Sequence, residues 1–323
     1  MQFTSDALEA AKRLVHSQMD PTPQHHWPLL SARTGAEVWV KHENHGPTGA
    51  FKARGAITFI DWLRRTRPDA TGVITATRGN HGQAQARAAT RAGLRAVIYV
   101  PHGNSVEKNA AMRAFGAELR EFGTDFDEAR QEAMRVAADE ALFPVPPFHP
   151  ELVRGVATYA LEFFRAAPPL DTVYVPIGAG SGICGVIAAR DALGLATEVV
   201  GVVAEKADAA QQSVRAGRVI ETPSARTFAD GMAVRVPVAD ALAIYAKGAA
   251  RLVAVSEDAI AAAIRAYYTD THNLAEGAGA APLAALMTER AMQTGRRVGL
   301  ILSGGNIDAR MFAEILGGAT PRP

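Results

Sequence analysis

The sequence predicts an α/β fold of open, mostly parallel sheets with flanking helices, and two patterns carry that expectation. Short apolar runs rich in β-branched residues recur at 37–41, 72–75, 96–100, 172–175, 198–203 and 298–302. Between them, alanine-rich stretches at 82–91, 106–115, 125–140, 183–193 and 256–267 have helical period and composition. Strands that alternate with helices pair in parallel, each helix crossing back over a sheet face. No internal repeat and no low-complexity tract interrupts this alternation.

Taken in order, the first 20 residues set Asp6, Glu9, Lys12 and Arg13 among Leu8, Ala11, Leu14 and Val15, the pattern of an amphipathic helix and not of a secretory leader. Pro21-Thr22-Pro23 ends it. Proline is densest at Pro144, Pro146, Pro147 and Pro150, which marks a crossing between two lobes, and Pro168-Pro169 punctuates the chain again. With 323 residues, 48% of them hydrophobic, the chain can bury a large core. Its 34 basic and 33 acidic residues leave a net charge of +1, with no basic block to follow a phosphate backbone, so nucleic acid is not an expected partner. No apolar run reaches the ~18 residues of a membrane span. The single cysteine, Cys184, cannot support a disulfide framework and fits a reducing compartment, so the expected location is the cytoplasm.

Four loops could carry chemistry. At 46–56, turn formers lead into a helix with Phe51 and Lys52 at its start. A lysine there is ordinarily a solvated surface group. Partly desolvated at the positive end of a helix, it would instead have a lowered pKa and offer a neutral amine to an aldehyde. At 75–83 a strand runs into Thr77-Arg78-Gly79-Asn80-His81 and then a helix, which is either a tight turn with Asn80 as its cap or a nest of N–H groups for a carboxylate. The loop Gly178-Ala179-Gly180-Ser181-Gly182 follows the strand at 172–175 and opens a helix, the geometry that cradles a phosphate. Gly180, Gly182 and Gly185 also satisfy the dinucleotide spacing G-x-G-x-x-G, with Glu205 where a ribose-binding acid would lie, so a nicotinamide oxidoreductase is the alternative enzyme reading. Against it, that fingerprint normally opens its domain, and here it falls past mid-chain. The fourth loop places Ser303 at the carboxyl end of the last strand, where ligands of open α/β sheets gather. A non-catalytic amino-acid-binding module is the alternative outside enzymes.

Together Thr48-Gly49-Ala50-Phe51-Lys52-Ala53-Arg54-Gly55-Ala56, Gly79-Asn80-His81-Gly82-Gln83, the 178–182 loop and Ser303-Gly304-Gly305-Asn306 resemble the fold type II pyridoxal-phosphate enzymes, in the threonine/serine dehydratase and serine racemase branch. Ala229-Asp230-Gly231 and Glu276-Gly277-Ala278-Gly279 extend the match, in order, over nearly the whole chain. The resemblance implies a two-lobed, tryptophan synthase β-like architecture, with a large cofactor-binding domain at 1–71 and 149–323 and a small inserted domain at 72–148. It implies pyridoxal 5'-phosphate as cofactor, a homodimer, and α,β-elimination on a β-hydroxy-amino acid to give a 2-oxo acid and ammonia.

Carried over by position, it makes Lys52 the Schiff-base lysine and catalytic base and Phe51 a neighbour packed on the cofactor ring. Asn80 would bond the ring oxygen, Gly178, Ala179, Gly180, Ser181 and Gly182 would hold the phosphate, and Ser303 would face the pyridine nitrogen. A hydroxyl there does not enforce a protonated ring, so the sink is weaker, which suits elimination better than transamination. Thr77, Arg78, Gly79 and His81 would bind substrate, with Gln83 and Glu276 in support.

Three departures stand out. Racemase members place a serine where this chain has Arg78, and arginine, never deprotonated, cannot serve as the second acid/base, so racemisation is not expected. Arg78 either turns outward to solvent or an acid, or selects substrate by pairing with a second carboxylate, as in 3-hydroxyaspartate, or stacking on an aromatic ring, as in phenylserine. The segment Ala204-Glu205-Lys206-Ala207-Asp208 lacks one of the family's cation-binding acids, so no metal site is expected. The chain ends 20 residues after Ser303, so no regulatory domain, and no feedback by isoleucine, is expected. Phe126 and Phe148 either line the side-chain pocket or are core.

Overall fold

The computed structural model describes residues 3–322 and contains two sheets. Ten strands follow the chain: β1 Gln24–His26, β2 Glu37–His42, β3 Gly72–Ala76, β4 Arg95–Val100, β5 Glu118–Glu121, β6 Phe143–Pro144, β7 Thr172–Pro176, β8 Glu198–Ala204, β9 Arg251–Val255 and β10 Arg297–Leu302. The large sheet has the order β1-β2-β10-β7-β8-β9 and the small one β5-β4-β3-β6. Every pairing is parallel except β1 against β2. The mostly parallel α/β architecture expected from the sequence is therefore present, and all six apolar runs are strands within one or two residues of their expected ends.

Parallel strands are covered by helices on both faces, which is why β7, β8 and β10 read as continuous apolar runs. All four strands absent from the sequence reading, β1, β5, β6 and β9, lie at sheet edges. β5 is Glu-Leu-Arg-Glu, and its charges meet Arg95 and Glu140, a common protection for an exposed edge. β6 contains Pro144, tolerable only where no ladder donor is needed, and β1 is polar throughout. The helix Gly277–Thr288 also escaped, because it is buried on every side and has no polar face to set a period.

Helices Lys52–Thr66 and Pro150–Ala166 cross backbone to backbone. A Cβ on Gly155 would lie 2.3 Å from the Arg54 carbonyl oxygen, and one on Gly55 would lie 2.7 Å from that of Leu152. Beside this crossing, two buried cations and two buried anions form a closed network. Arg54 donates through Nε to Glu43 Oε2 (2.8 Å), through Nη1 to Glu162 Oε1 (2.6 Å) and Thr158 Oγ1 (3.0 Å), and through Nη2 to Glu43 Oε1, Glu162 Oε2 and Thr22 Oγ1. Lys41 donates to Glu162 Oε2 (2.7 Å) and to the Thr22 carbonyl (2.6 Å), while His16 meets Glu162 Oε1. Burial alone would push the Glu162 carboxyl up, but Arg54 and Lys41 outweigh it and hold the group down at about 2.

That depressed value sets a pH dependence. The Glu162 pair contributes its full stability above the ordinary carboxylate value of 4.5 and loses it as the pH falls through about 2. Glu162→Gln is expected to cost about 3–5 kcal/mol at pH 7, since it leaves Arg54 and Lys41 short of an anion. Its melting temperature should also fall less steeply than the wild type's between pH 5 and pH 2, as measured by circular dichroism.

Candidate active site

Four segments converge at the carboxyl ends of parallel strands. Helix Lys52–Thr66 follows β2 by way of a short glycine turn, helix Asn80–Arg91 follows β3, helix Ser181–Ala192 follows β7, and Ser303 follows β10. Backbone contacts join them. Phe51 N–H donates to the Ser303 carbonyl (3.0 Å), Gly305 N–H to that of Gly49 (2.9 Å), and Ala50 bridges Gly304. Gly49 has φ +65° and packs against Asn306 so closely that a Cβ would fall 2.4 Å from Oδ1, which only glycine permits.

None of the helices starting at Lys52, Asn80, Ser181 and Gly277 has a side-chain cap. Elsewhere Ser105, Asp125, His149 and Ser256 cap their helices, and those starting at Pro28, Ala209, Ala239 and Ala309 are also without a side-chain cap. The first N–H groups of an uncapped helix lack intrahelical acceptors and favour an anion. At the 178–182 loop the fit is tight. Gly180 is left-handed (φ +99°), and a Cβ on Gly178 would lie 2.0 Å from the Gly231 carbonyl oxygen. At the 77–81 loop, Thr77 Oγ1 accepts from Gly79 N–H (3.1 Å), so that hydroxyl is engaged within its own turn.

Lys52 Nζ lies 4.2 Å from the centroid of the Phe51 ring, and that ring reaches the start of helix Ser181–Ala192 beside Gly182. Burial lowers the Lys52 amine to about 8, against a smaller upward pull from Glu276. Burial likewise lowers His81 to about 3, with the Lys52 charge adding to the effect, so the imidazole is neutral. Its buried Nε2 has no hydrogen-bond partner among the described residues. Asn80 is held at both ends, Nδ2 donating to Glu276 Oε1 (2.8 Å) and Oδ1 accepting from Asn306 Nδ2 (2.7 Å). Burial raises the Glu276 carboxyl, although Lys108 and Lys52 pull it down. Ser303 is buried.

The structure thus brings together Phe51, Lys52, Asn80, His81, the 178–182 loop and Ser303. Arg78 stands apart: it is exposed, and its side chain makes no hydrogen bond or ion pair among the described residues. Phe148 belongs to the core beneath helix Pro150–Ala166. Glu205 is exposed, and among the described residues no group of three His, Cys, Asp or Glu side chains is arranged to hold a metal. Sequence reasoning missed Lys108, whose Nζ meets Asp230 Oδ2 (2.6 Å) at the rim of the cleft. Burial opposes its charge, but Asp230, Glu276 and Asp308 outweigh that and raise its pKa. It also missed the linking role of Asn306. Lys108 lies in no motif that its neighbours would reveal, and Asn306, although it closes the Ser303-Gly304-Gly305-Asn306 motif, meets a partner 226 residues away.

Pyridoxal-phosphate dependent enzymes match residues 15–304 as a family. The chain belongs to that family. This sets aside the nicotinamide and non-catalytic readings. It is 35% identical over 320 residues to the L-threonine ammonia-lyase of Geobacter sulfurreducens, covering 98% of this chain and 77% of that protein. It is 28% identical over 319 residues to the L-threo-3-hydroxyaspartate ammonia-lyase of Saccharomyces cerevisiae, covering 98% and 97%. The processed form of threonine deaminase isoform 2 from Solanum lycopersicum superposes with a TM-score of 0.90 at 29% identity, over 98% of this chain and 95% of that one.

The residues present fit the family's cofactor, pyridoxal phosphate. The Lys52 amine and a glycine-rich loop whose N–H groups can receive a phosphate both lie against the Phe51 ring, and the buried Nε2 of His81 has no hydrogen-bond partner among the described residues. In the cofactor-free protein, Lys52 is expected to acylate with a midpoint near pH 8, below the ~10.4 of a solvated lysine. Glu276→Gln should move that midpoint lower, because it removes the charge that favours the ammonium form. Peptide mass spectrometry across a pH series checks both, and a midpoint near 10 would show that the amine is solvated.

Proposed function

We propose that this pyridoxal-phosphate-dependent enzyme is an ammonia-lyase that dehydrates a β-hydroxy-amino acid, threonine-like or with an acidic or bulkier side chain, to a 2-oxo acid and ammonia. The observation that carries the reading is the half-buried Lys52 amine, 4.2 Å from the centre of the Phe51 ring that reaches the glycine loop, its pKa lowered to about 8. The ammonia-lyase names of the relatives support the reaction class. When bound, pyridoxal phosphate supplies the electron sink that makes the substrate's α-proton acidic.

The chain's own residues do the rest. Lys52 would hold the cofactor, and its amine, lowered to about 8, is the group that would take the substrate's α-proton. Phe51 would pack on the ring, the N–H groups from Gly178 to Gly182 would hold the phosphate, and Asn80 would bond the ring oxygen. Ser303 would face the ring nitrogen, where a hydroxyl does not enforce protonation. Thr77 and the N–H groups of Gly79, Asn80 and His81 orient the substrate carboxylate. His81, neutral near pH 7, is a hydrogen-bonding group and not a second acid. The β-hydroxyl leaves as water, and the enamine released is hydrolysed to the 2-oxo acid and ammonia.

The small lobe of this reading is 72–148, inserted between 1–71 and 149–323, supported by a small sheet whose strands all fall between Gly72 and Pro144. The family resemblance implies a homodimer, and the single cysteine, Cys184, fits a cytoplasmic location. Light scattering on the eluted protein gives the oligomeric state.

The purified enzyme is expected to show a visible yellow band, which Lys52→Ala abolishes together with 2-oxo acid release from threonine, 3-hydroxyaspartate or phenylserine. Full retention of the band in that variant would falsify the lysine assignment. Arg78, exposed beside the carboxylate loop, is the proposed selector among these substrates. Arg78→Ala should change their relative kcat/KM values, and equal losses on all three would remove the selective role.

A further inference from the structure

The helix that starts at Lys52 is shared between two cores. Phe59, Ile60 and Leu63 are buried with Val73, Ala84, Ala89 and Ala96 around the small sheet. Its first turn is held from the opposite direction. All six side-chain hydrogen bonds of Arg54, two residues after Lys52, go to Thr22, Glu43, Thr158 and Glu162. Thr22 and Glu43 lie on the segments flanking β1 and β2 of the large sheet, and Thr158 and Glu162 lie on helix Pro150–Ala166, which is built into the core beneath it. No partner of Arg54 comes from the small sheet.

We propose that Arg54 is a positioning residue for Lys52, fixing the helix start, and so the reach of the amine, to the large sheet independently of the small-sheet core that holds the rest of the helix. This rests on Lys52 being the reacting amine. Three observations carry it. Arg54 is fully buried and every one of its nitrogens is bonded. Its fork engages both oxygens of two carboxylates, which fixes direction as well as distance. The Gly55 and Gly155 contacts bring the two helix backbones together at the same level, so the first turn has no side-chain layer through which to slide. Buried ion pairs are poor sources of net stability, because desolvation offsets the attraction. What this one supplies is a fixed location beside the reacting group.

The test uses holoenzyme variants Arg54→Gln, Arg54→Lys and Glu43→Gln, with Ile60→Ala as a control that loosens the small-sheet end of the same helix. Each is read by kcat and KM, by melting temperature, and by the fraction of Lys52 that carries cofactor after borohydride reduction, counted by peptide mass. Arg54→Gln is expected to lower kcat roughly tenfold to a hundredfold, the usual effect of a small misplacement, with KM changed by no more than about twofold. The reduced label on Lys52 should fall in parallel. Arg54→Lys restores the charge without the fork and should recover only part of the loss. Ile60→Ala should lower the melting temperature while leaving kcat and the label near wild type.

If Arg54→Gln keeps wild-type kcat and labelling despite a lower melting temperature, the residue is merely structural and the proposal is overturned. Should both Arg54 variants fail to fold, Glu43→Gln decides. It removes one anchor only, so a partial fall in kcat at constant KM supports the proposal and a native kcat overturns it. A wild-type enzyme with no label on Lys52 would instead refute the reading of the lysine itself.

Discussion

Two buried cations and two buried anions meet where stretches of chain far apart in sequence cross, and the cleft depends on that meeting. His16 ends the first helix, Thr22 precedes β1, Lys41 lies in β2, Arg54 sits in the first turn of the helix that starts at Lys52, and Glu162 lies deep in helix Pro150–Ala166. Each charge buried alone would be prohibitive, so all of them must arrive for any to be tolerated. A guanidinium fork accepts few orientations of its carboxylates, and a closed network therefore sets the relative placement of these segments more tightly than apolar packing would.

A different electrostatic logic governs the cleft itself. Burial pushes the Lys52 amine and the His81 imidazole down and the Glu276 carboxyl up, so each of the three is moved toward its neutral form. A site that disfavours fixed charge on its own side chains still offers uncapped helix starts, whose N–H groups are partial positive charges that never titrate. Such a site is matched to anions that arrive from outside, as the proposed phosphate at one helix and carboxylate at another would, and under that proposal the amine is left available as a base. The permanent charges, Lys108 with Asp230, are kept to the rim.

The sequence made legible whatever depends on neighbours along the chain. Apolar runs at 72–75 or 298–302 declare buried parallel strands, and Gly178-Ala179-Gly180-Ser181-Gly182 declares a tight approach to a helix start, because both properties are local. What stayed hidden was decided across space. Helix Gly277–Thr288 has no period because every face is covered, and β5 looks like surface because it is an edge. The bond from Asn306 to Asn80 spans 226 residues of chain, and that from Lys108 to Asp230 spans 122. No spacing rule reaches so far. Arg54 was visible in the motif beside Lys52, but its role became readable only when Glu43 and Glu162 were found on either side of it.

Arg78 shows the converse, a prominent residue that the fold does not require. The turn around it is closed by Thr77, whose hydroxyl accepts from Gly79 N–H, and by Lys108, whose side chain lies against Gly79. Both contacts leave position 78 out. Because the loop's shape is set without that side chain, and its capacity for anions resides in backbone N–H groups, the residue at 78 can vary without disturbing either. An exposed position unburdened by packing, beside the loop proposed to hold the carboxylate, is where substrate preference can change at little structural cost. Under the proposed function, Arg78 would bear on which amino acid is accepted, while the chemistry would stay with Lys52 and the parts of the fold that hold it still.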